Sequence, residues 1–321
     1  MNNKEIKIFC TLGPSSLNKK FLNFVKGKVS MVRLNMSHIK INKLKKTIKF
    51  IKKNSKIPIC LDTEGAQIRT KIRKTYYYKY NQKITIKPSK GNFNFYPVEV
   101  YNKIKKGDKL EIGFNNLKIK ILKKNKNYIL AKTISPGLLE ENKGVHLINR
   151  NINLKYLTKK DLLAIEIAKE FKINNFALSF TNSTDDIKNF NRLLPKSNKI
   201  YKIETKRAIK SFTKIIKHGK HFLIDRGDLS KDITPEKVPL IQRKIFSISN
   251  KNKSKKIYIA TNLLESMVLN RSPSRGEAND IFSSLEMGAS GLVLAAETAI
   301  GKYPEETILF LKKIIKVFKK N

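Results

Sequence analysis

Lys202 and Glu204 stand two residues apart in KIYKIET (199–205), so in an extended strand both side chains leave the same face. An ammonium and a carboxylate so placed suit chemistry in which a divalent cation is held and charge develops beside it on a phosphoryl group or an enolate. Asp228, in FLIDRGDLS (222–230), adds a second carboxylate. Mg²⁺ usually takes one or two protein carboxylates and completes its shell with water and substrate oxygens. Arg33 offers a planar fork for phosphate or carboxylate. Asn35, Ser37, Asp62 and Thr63 bring several oxygens and one charge, a set suited to a monovalent cation such as K⁺. Taken singly, each of these residues reads equally well as an ordinary turn or cap. No His/Cys cluster supports zinc, and no Ser–His–Asp order supports acyl transfer.

What would bring them together is the spacing of the apolar runs. Eight recur: IKIFCTLG (6–13), VSMVRLN (29–35), IPICLDTEG (57–65), NNFALSF (174–180), KIYKIET (199–205), KHFLIDRG (220–227), KKIYIATN (255–262) and GLVLAAE (291–297). Between runs that adjoin in sequence lie Lys-rich stretches with apolar residues at i, i+3, i+4 and i+7, one face of a helix. Eight such units predict an α/β fold, a (β/α)₈ TIM barrel closed by the helix PEETILFLKKIIKVFKK. Function in such barrels gathers at the C-terminal strand ends. There fall Arg33, Asn35, Ser37 and His38; Asp62 and Thr63, with Arg69 shortly after; Lys202 and Glu204; Gly227 and Asp228; Thr261; and Glu297.

Residues 71–150 break the alternation. TYYYKY, KITIKP, PVEVY, KLEIGF, LKIKIL and YILAKTI are short alternating runs divided by turn signals, which predicts a small all-β domain inserted after strand 3. The barrel domain is accordingly expected over 1–70 and 151–321.

The 321 residues carry 68 basic and 25 acidic side chains, a formal charge of +43. The lysines are scattered rather than gathered in one block, which argues for a general Lys/Asn/Ile bias over a nucleic-acid surface. A positive field also suits a phosphate-bearing small substrate. Cys10 and Cys60 lack metal or redox spacing and read as small core residues. With no secretory N-terminus and no run long enough to span a membrane, the expectation is a cytoplasmic protein.

TLGPSS, RLNMSH, LDTEGAQIRT, NKGVHL, KIET, RGDLS, ATNLLESM, SPSRGEANDI and AAETAIGKYP occur in that order, and the set closely resembles pyruvate kinase from about residue 5 to 318. The resemblance implies phosphoryl transfer from phosphoenolpyruvate to ADP, giving pyruvate and ATP, with Mg²⁺ (or Mn²⁺) on Glu204 and Asp228. It implies that Arg33 holds the phosphoryl group, Lys202 stabilises it in transfer, the Gly227–Asp228 backbone meets the substrate carboxylate, and Thr261 lies on the proton-delivery side of the enolate. Asn35, Ser37, Asp62 and Thr63 match a K⁺ site. Asn35, Met36, Ser37, His38, Arg69 and Lys143 match nucleotide contacts. The inserted domain matches a lid that excludes water. A homo-oligomer is compatible with the family.

The departures are local. The chain stops after the eighth barrel helix, so no C-terminal regulatory domain is expected. Glu64 and Ala66 stand where the family usually has Lys and Pro. Gln67 replaces a Glu that accompanies K⁺ dependence, and GFNN (113–116) replaces an acidic pair and a glycine. Asp225 stands where an alanine usually lines the substrate pocket. Arg226 is expected to be structural, paired with a carboxylate. Two other readings stay open on the residues alone: another Mg²⁺-dependent reaction of a pyruvate enolate (a lyase, an aldolase or a different phosphotransfer), and a basic RNA- or anion-binding protein without catalysis.

Overall fold

The computed structural model describes residues 5–88, 91–113, 117–148, 150, 152–252 and 254–320. The chain divides into two compact units, Met1–Gly65 with Lys159–Asn321, and Ala66–Thr158.

The first unit is a closed parallel barrel of eight strands: β1 (Lys7–Thr11), β2 (Met31–Asn35), β3 (Ile59–Asp62), β4 (Asn175–Leu178), β5 (Asn198–Ile203), β6 (His221–Asp225), β7 (Lys256–Ala260) and β8 (Gly291–Leu294). Each pairs with its successor in sequence, and β8 closes on β1 through Phe9↔Val293 and Cys10↔Leu294. The strands are buried on both faces, which is why they read as unbroken apolar runs. The outer helices carry the 3.6-residue stripe: Ile41–Asn54 buries Leu44, Ile48 and Ile51. Pro304–Lys320 buries Ile308, Leu311, Ile314 and Ile315. Ser183 and Ser274 start their helices with full capping boxes, to Asp186 and Glu277, each satisfying two otherwise unpaired backbone donors.

All eight strands contribute to one apolar cluster: Phe9, Cys60, Ala177, Ile200, Leu223, Tyr258, Ala260 and Val293, with Met31 packed against it. Because side chains alternate along a strand, the residue two further on repeats the same direction. Stepping from Phe9, Met31, Cys60, Ala177, Ile200 and Leu223 gives Thr11, Arg33, Asp62, Ser179, Lys202 and Asp225. The barrel interior thus changes from an apolar layer to a polar one within a single step, at the C-terminal end.

In the second unit seven antiparallel strands lie in the order Lys83–Ile86, Ile129–Ser135, Leu117–Lys124, Lys109–Ile112, Gly144–Leu147, Ile68–Ile72 and Phe93–Tyr96, and Gly137–Leu139 pairs separately with Tyr76–Tyr78. Their inward residues form their own core, including Ile84, Phe95, Leu110, Ile119 and Ala131. One expected strand is corrected: PVEVY is no strand but leads into the one-turn helix Val100–Lys103. Pro97 has no N–H to give a ladder, and Val100, Tyr101 and Ile104 bury on the core at helical spacing. In GFNN, residues 114–116 lie outside the described residues.

Candidate active site

Lys202 is the hub of the polar layer. Its ammonium lies 2.9 Å from Glu204 Oε1 and 3.3 Å from both Asp62 Oδ2 and Asp225 Oδ2, and it donates to Ser179 Oγ at 3.2 Å. Asp62 serves as the anchor. Its Oδ2 accepts Arg33 Nη1 at 3.0 Å, its Oδ1 accepts Ser179 Oγ at 3.1 Å, and Arg33 Nε donates to Thr11 Oγ1 at 2.8 Å. All these side chains except Thr11 come from neighbouring strands β2 to β6 or the residues just after them, and each parent residue is at most 5% exposed.

Burial works against the charge on Lys202, but Asp62, Glu204 and Asp225 outweigh it and hold the ammonium above the ordinary lysine range. Burial is also the largest influence on Glu204, whose carboxyl is raised to about 8; Lys202 pulls it down while Asp225 and Asp228 push it further up. Asp225 pushes both groups up, adding to the effect of burial at Glu204 and opposing it at Lys202.

Where FLIDRGDLS leaves β6, the chain enters a helix at once. Arg226–Ile233 is helical, with Asp228 in its first turn and Leu229 and Ile233 buried. Asp228 keeps Lys231 at 2.9 Å. One oxygen each from Glu204, Asp225 and Asp228 lie within 4.8 Å of one another. Glu204 Oε1 is buried and, despite the nearby ammonium, receives no hydrogen bond of good geometry. Hard oxygen donors with an unsatisfied buried acceptor among them fit a divalent cation of the Mg²⁺ or Mn²⁺ kind.

The expected monovalent set fits less well. Asn35 Oδ1 accepts Ser37 N–H, Thr63 Oγ1 accepts Ser179 N–H, and both Asp62 oxygens hold donors. Three of the four residues thus spend side-chain oxygens on the chain itself.

Thr261 follows β7 with φ +66, and Asn262 with φ +52; for a β-branched residue that is a strained backbone. Its hydroxyl accepts Gly227 N–H at 2.7 Å, and its proton faces Asp225 Oδ1 at 3.2 Å and Ala260 O at 2.6 Å. Arg226 is structural as expected, with Asp280 as its carboxylate at 2.6 Å. Glu297 is buried and spent on the backbone amides of Leu264 and Ala295.

Asn35, Met36, Ser37 and His38 follow β2. Met36 is fully buried and its carbonyl accepts Lys160, while Ser37 is buried and His38 exposed. Glu64 answers the same lysine, 2.7 Å from Lys160 Nζ. Asp161 accepts the Glu64 and Gly65 amides. Arg69 and Lys143 belong to the second unit, where Arg69 pairs in register with Gly144 and donates to Asn142 O. Lys143 lies 3.4 Å from Glu140.

Two contributors escape sequence reasoning. Ser179 bridges Asp62 and Lys202, and the Phe180 N–H donates to Glu204 Oε2 at 2.5 Å. A lone serine near the end of NNFALSF gives no signal, although its parity with Ala177 places it inward once the strand is known.

The sequence that builds this site is similar to known proteins. The chain matches a family model described as pyruvate kinase, barrel domain, over residues 3–308. It belongs to the pyruvate kinase family. A pyruvate kinase of Methanocaldococcus jannaschii is 32% identical, over 98% of this chain and 69% of that protein. One from Thermotoga maritima is 29% identical, over 98% of this chain and 71% of that protein, and one from Buchnera aphidicola is 30% identical over 98% and 69%. Among the described residues, no helix is long and apolar enough to cross a membrane.

Proposed function

We propose that the barrel site transfers the phosphoryl group of phosphoenolpyruvate to ADP. The bond from phosphorus to the enol oxygen breaks, one from phosphorus to a β-phosphate oxygen of ADP forms, and the enolate carbon takes a proton to give pyruvate. The observation that supports this most is the convergence of Arg33, Lys202, Glu204, Asp228 and Thr261 at one end of a pyruvate kinase-family barrel. Glu204 and Asp228 would hold the divalent cation, which when bound supplies Lewis-acid polarisation of substrate oxygens.

The remaining roles belong to the chain. Lys202, kept charged by three carboxylates, stabilises charge on the phosphoryl group in flight. Arg33, braced by Thr11 and Asp62, presents its fork to that group. The Gly227–Asp228 backbone at the start of Arg226–Ile233 receives the substrate carboxylate, the Gly227 N–H exchanging its present acceptor, Thr261 Oγ1, for it, as amides at a helix start favour anions. The Thr261 hydroxyl, already part of a hydrogen-bonded chain to Asp225, delivers the proton to the enolate carbon. For the nucleotide we propose Asn35, Met36 (through its backbone), Ser37 and His38 in the barrel unit, with Arg69 and Lys143 as further candidates.

The test is a coupled assay of the purified chain with phosphoenolpyruvate, ADP and Mg²⁺ or Mn²⁺, with and without K⁺. Pyruvate and ATP should appear in equal amounts. No pyruvate above background under any of these conditions would end the proposal and favour another enolate reaction at the same residues.

A further inference from the structure

Asp225 is the barrel residue whose side chain does what its position does not ask of it. An aspartate at a helix N-cap ordinarily accepts an amide of the first turn. Asp225 occupies that position before Arg226–Ile233 and makes no side-chain cap hydrogen bond. Its carboxylate, on a residue only 5% exposed, turns instead into the barrel, with Oδ2 3.3 Å from Lys202 Nζ and Oδ1 3.2 Å from Thr261 Oγ1. The ammonium it faces is already shared with Asp62 and Glu204. Around this point stand the carboxylates Asp62, Glu204, Asp225 and Asp228 and the cations Arg33, Lys202 and Lys231; with all four carboxylates ionised, as a bound cation would hold them, the group carries one excess negative charge, and without Asp225 it would carry none. A buried carboxylate without its share of a cation is costly.

We propose that Asp225 is a third carboxylate ligand to the divalent cation, so that this chain takes up the cation before any anionic substrate arrives. Oxygens of Glu204, Asp225 and Asp228 lie within 4.8 Å of one another; on an octahedral Mg²⁺ adjacent oxygens are about 3 Å apart and opposite ones about 4 Å, so the three carboxylates draw together by up to about 2 Å to share one ion. The same charge tells against the substrate. With a divalent cation bound, the group carries one net positive charge rather than the two it would carry without Asp225, so the pull on a phosphate- and carboxylate-bearing ligand is weaker. Asp225 therefore trades anion affinity for cation affinity.

This inference rests on the site assignment above, and its test does not depend on turnover. Mn²⁺ alone is titrated into the full-length chain, without substrate, and followed by electron paramagnetic resonance. Asp225→Ala, and Asp225→Asn, which keeps the shape and an acceptor for Thr261, are each expected to bind Mn²⁺ at least about tenfold more weakly. Inorganic phosphate added with saturating Mn²⁺ should bind more tightly to both variants. Unchanged or tighter Mn²⁺ binding in either folded variant overturns the proposal. On the wild-type chain, water-proton relaxation should count about three waters left on bound Mn²⁺, whereas about four, as two carboxylates would leave on a six-coordinate ion, also overturns it. Asp225-dependent Mn²⁺ binding in a chain that makes no pyruvate keeps this inference and removes the phosphoryl-transfer reading; pyruvate formation with Mn²⁺ binding indifferent to Asp225 does the reverse.

Discussion

Arg226 donates two hydrogen bonds to the carbonyl oxygen of Thr261, from Nε at 3.1 Å and Nη2 at 2.9 Å. A third goes to the carbonyl of Asn262 at 2.8 Å. The two residues so clamped have φ +66 and +52, so the guanidinium stabilises a turn that its own residues disfavour. Arg226→Lys replaces a planar fork with a point charge that cannot span both carbonyls and Asp280. It should cost about 2–3 kcal/mol in chemical denaturation and lower kcat more than it raises KM, because Thr261 moves. A variant as stable and active as wild type would show that the turn needs no clamp.

Lys202→Met removes a cation that touches Asp62, Glu204 and Asp225 together. Phosphoryl transfer should fall by about 10³ or more. Stability should fall too, by about 3–5 kcal/mol, because buried carboxylates lose their partner. The two effects separate on adding Mn²⁺, which should return part of the melting temperature and none of the activity. A mild loss of rate in a folded variant would remove Lys202 from the transfer step.

Gly65 has φ +67, and a Cβ there would meet Ser179 O at 2.5 Å. Gly65→Ala is expected to destabilise by at least about 1 kcal/mol and, by pushing on Ser179, to loosen its hold on Asp62 and Lys202. Thermal melts and turnover measured together check this; normal values of both would show that the β4 end yields freely.

His221, at the start of β6, is held below the usual histidine range by burial first and then by Lys7, Lys220 and Lys256, while its Nδ1 meets Tyr258 OH at 3.0 Å. The unfolded chain therefore takes up this proton at a higher pH than the folded one. The stability tied to neutral His221 is full above about pH 6.5 and is lost as pH falls below it. The melting temperature of wild type should exceed that of His221→Gln by more at pH 7.5 than at pH 5. A gap independent of pH would contradict this.

Replacing K⁺ by tetramethylammonium should leave the rate unchanged, since Asn35, Asp62 and Thr63 already serve donors of the chain. A collapse of the rate would show that these hydrogen bonds yield to an ion.

The barrel is legible in the sequence because parallel strands buried on both faces leave continuous apolar runs, and because Lys202 and Glu204 differ by the strand period. What was not legible depends on partners distant along the chain. Nothing in NNFALSF announces that Ser179 reaches Asp62, 117 residues away. Nothing in RGDLS names Asp280 as the partner of Arg226, although Leu229 and Ile233, four apart, carry the signal of the short helix that begins there. In PVEVY, a proline and an apolar pair outweighed the alternation that suggested a strand. Asp225 stood out in the sequence as a charge in a pocket, but its direction depended on a cap that it declines to make.

Closure of β8 on β1 has a consequence for biosynthesis. At about 5–20 residues per second on the ribosome, Phe9 waits roughly 15–60 s for Val293, its neighbour in the finished barrel. β3 likewise waits for β4, since Asp62 pairs with Ala177, whereas the strands made in between pair only with one another. The nascent chain thus carries one sheet complete early beside another whose rims stay open until the end. Open rims recruit other strands, so a chain halted before residue 291 should accumulate as aggregate while the full chain stays in solution.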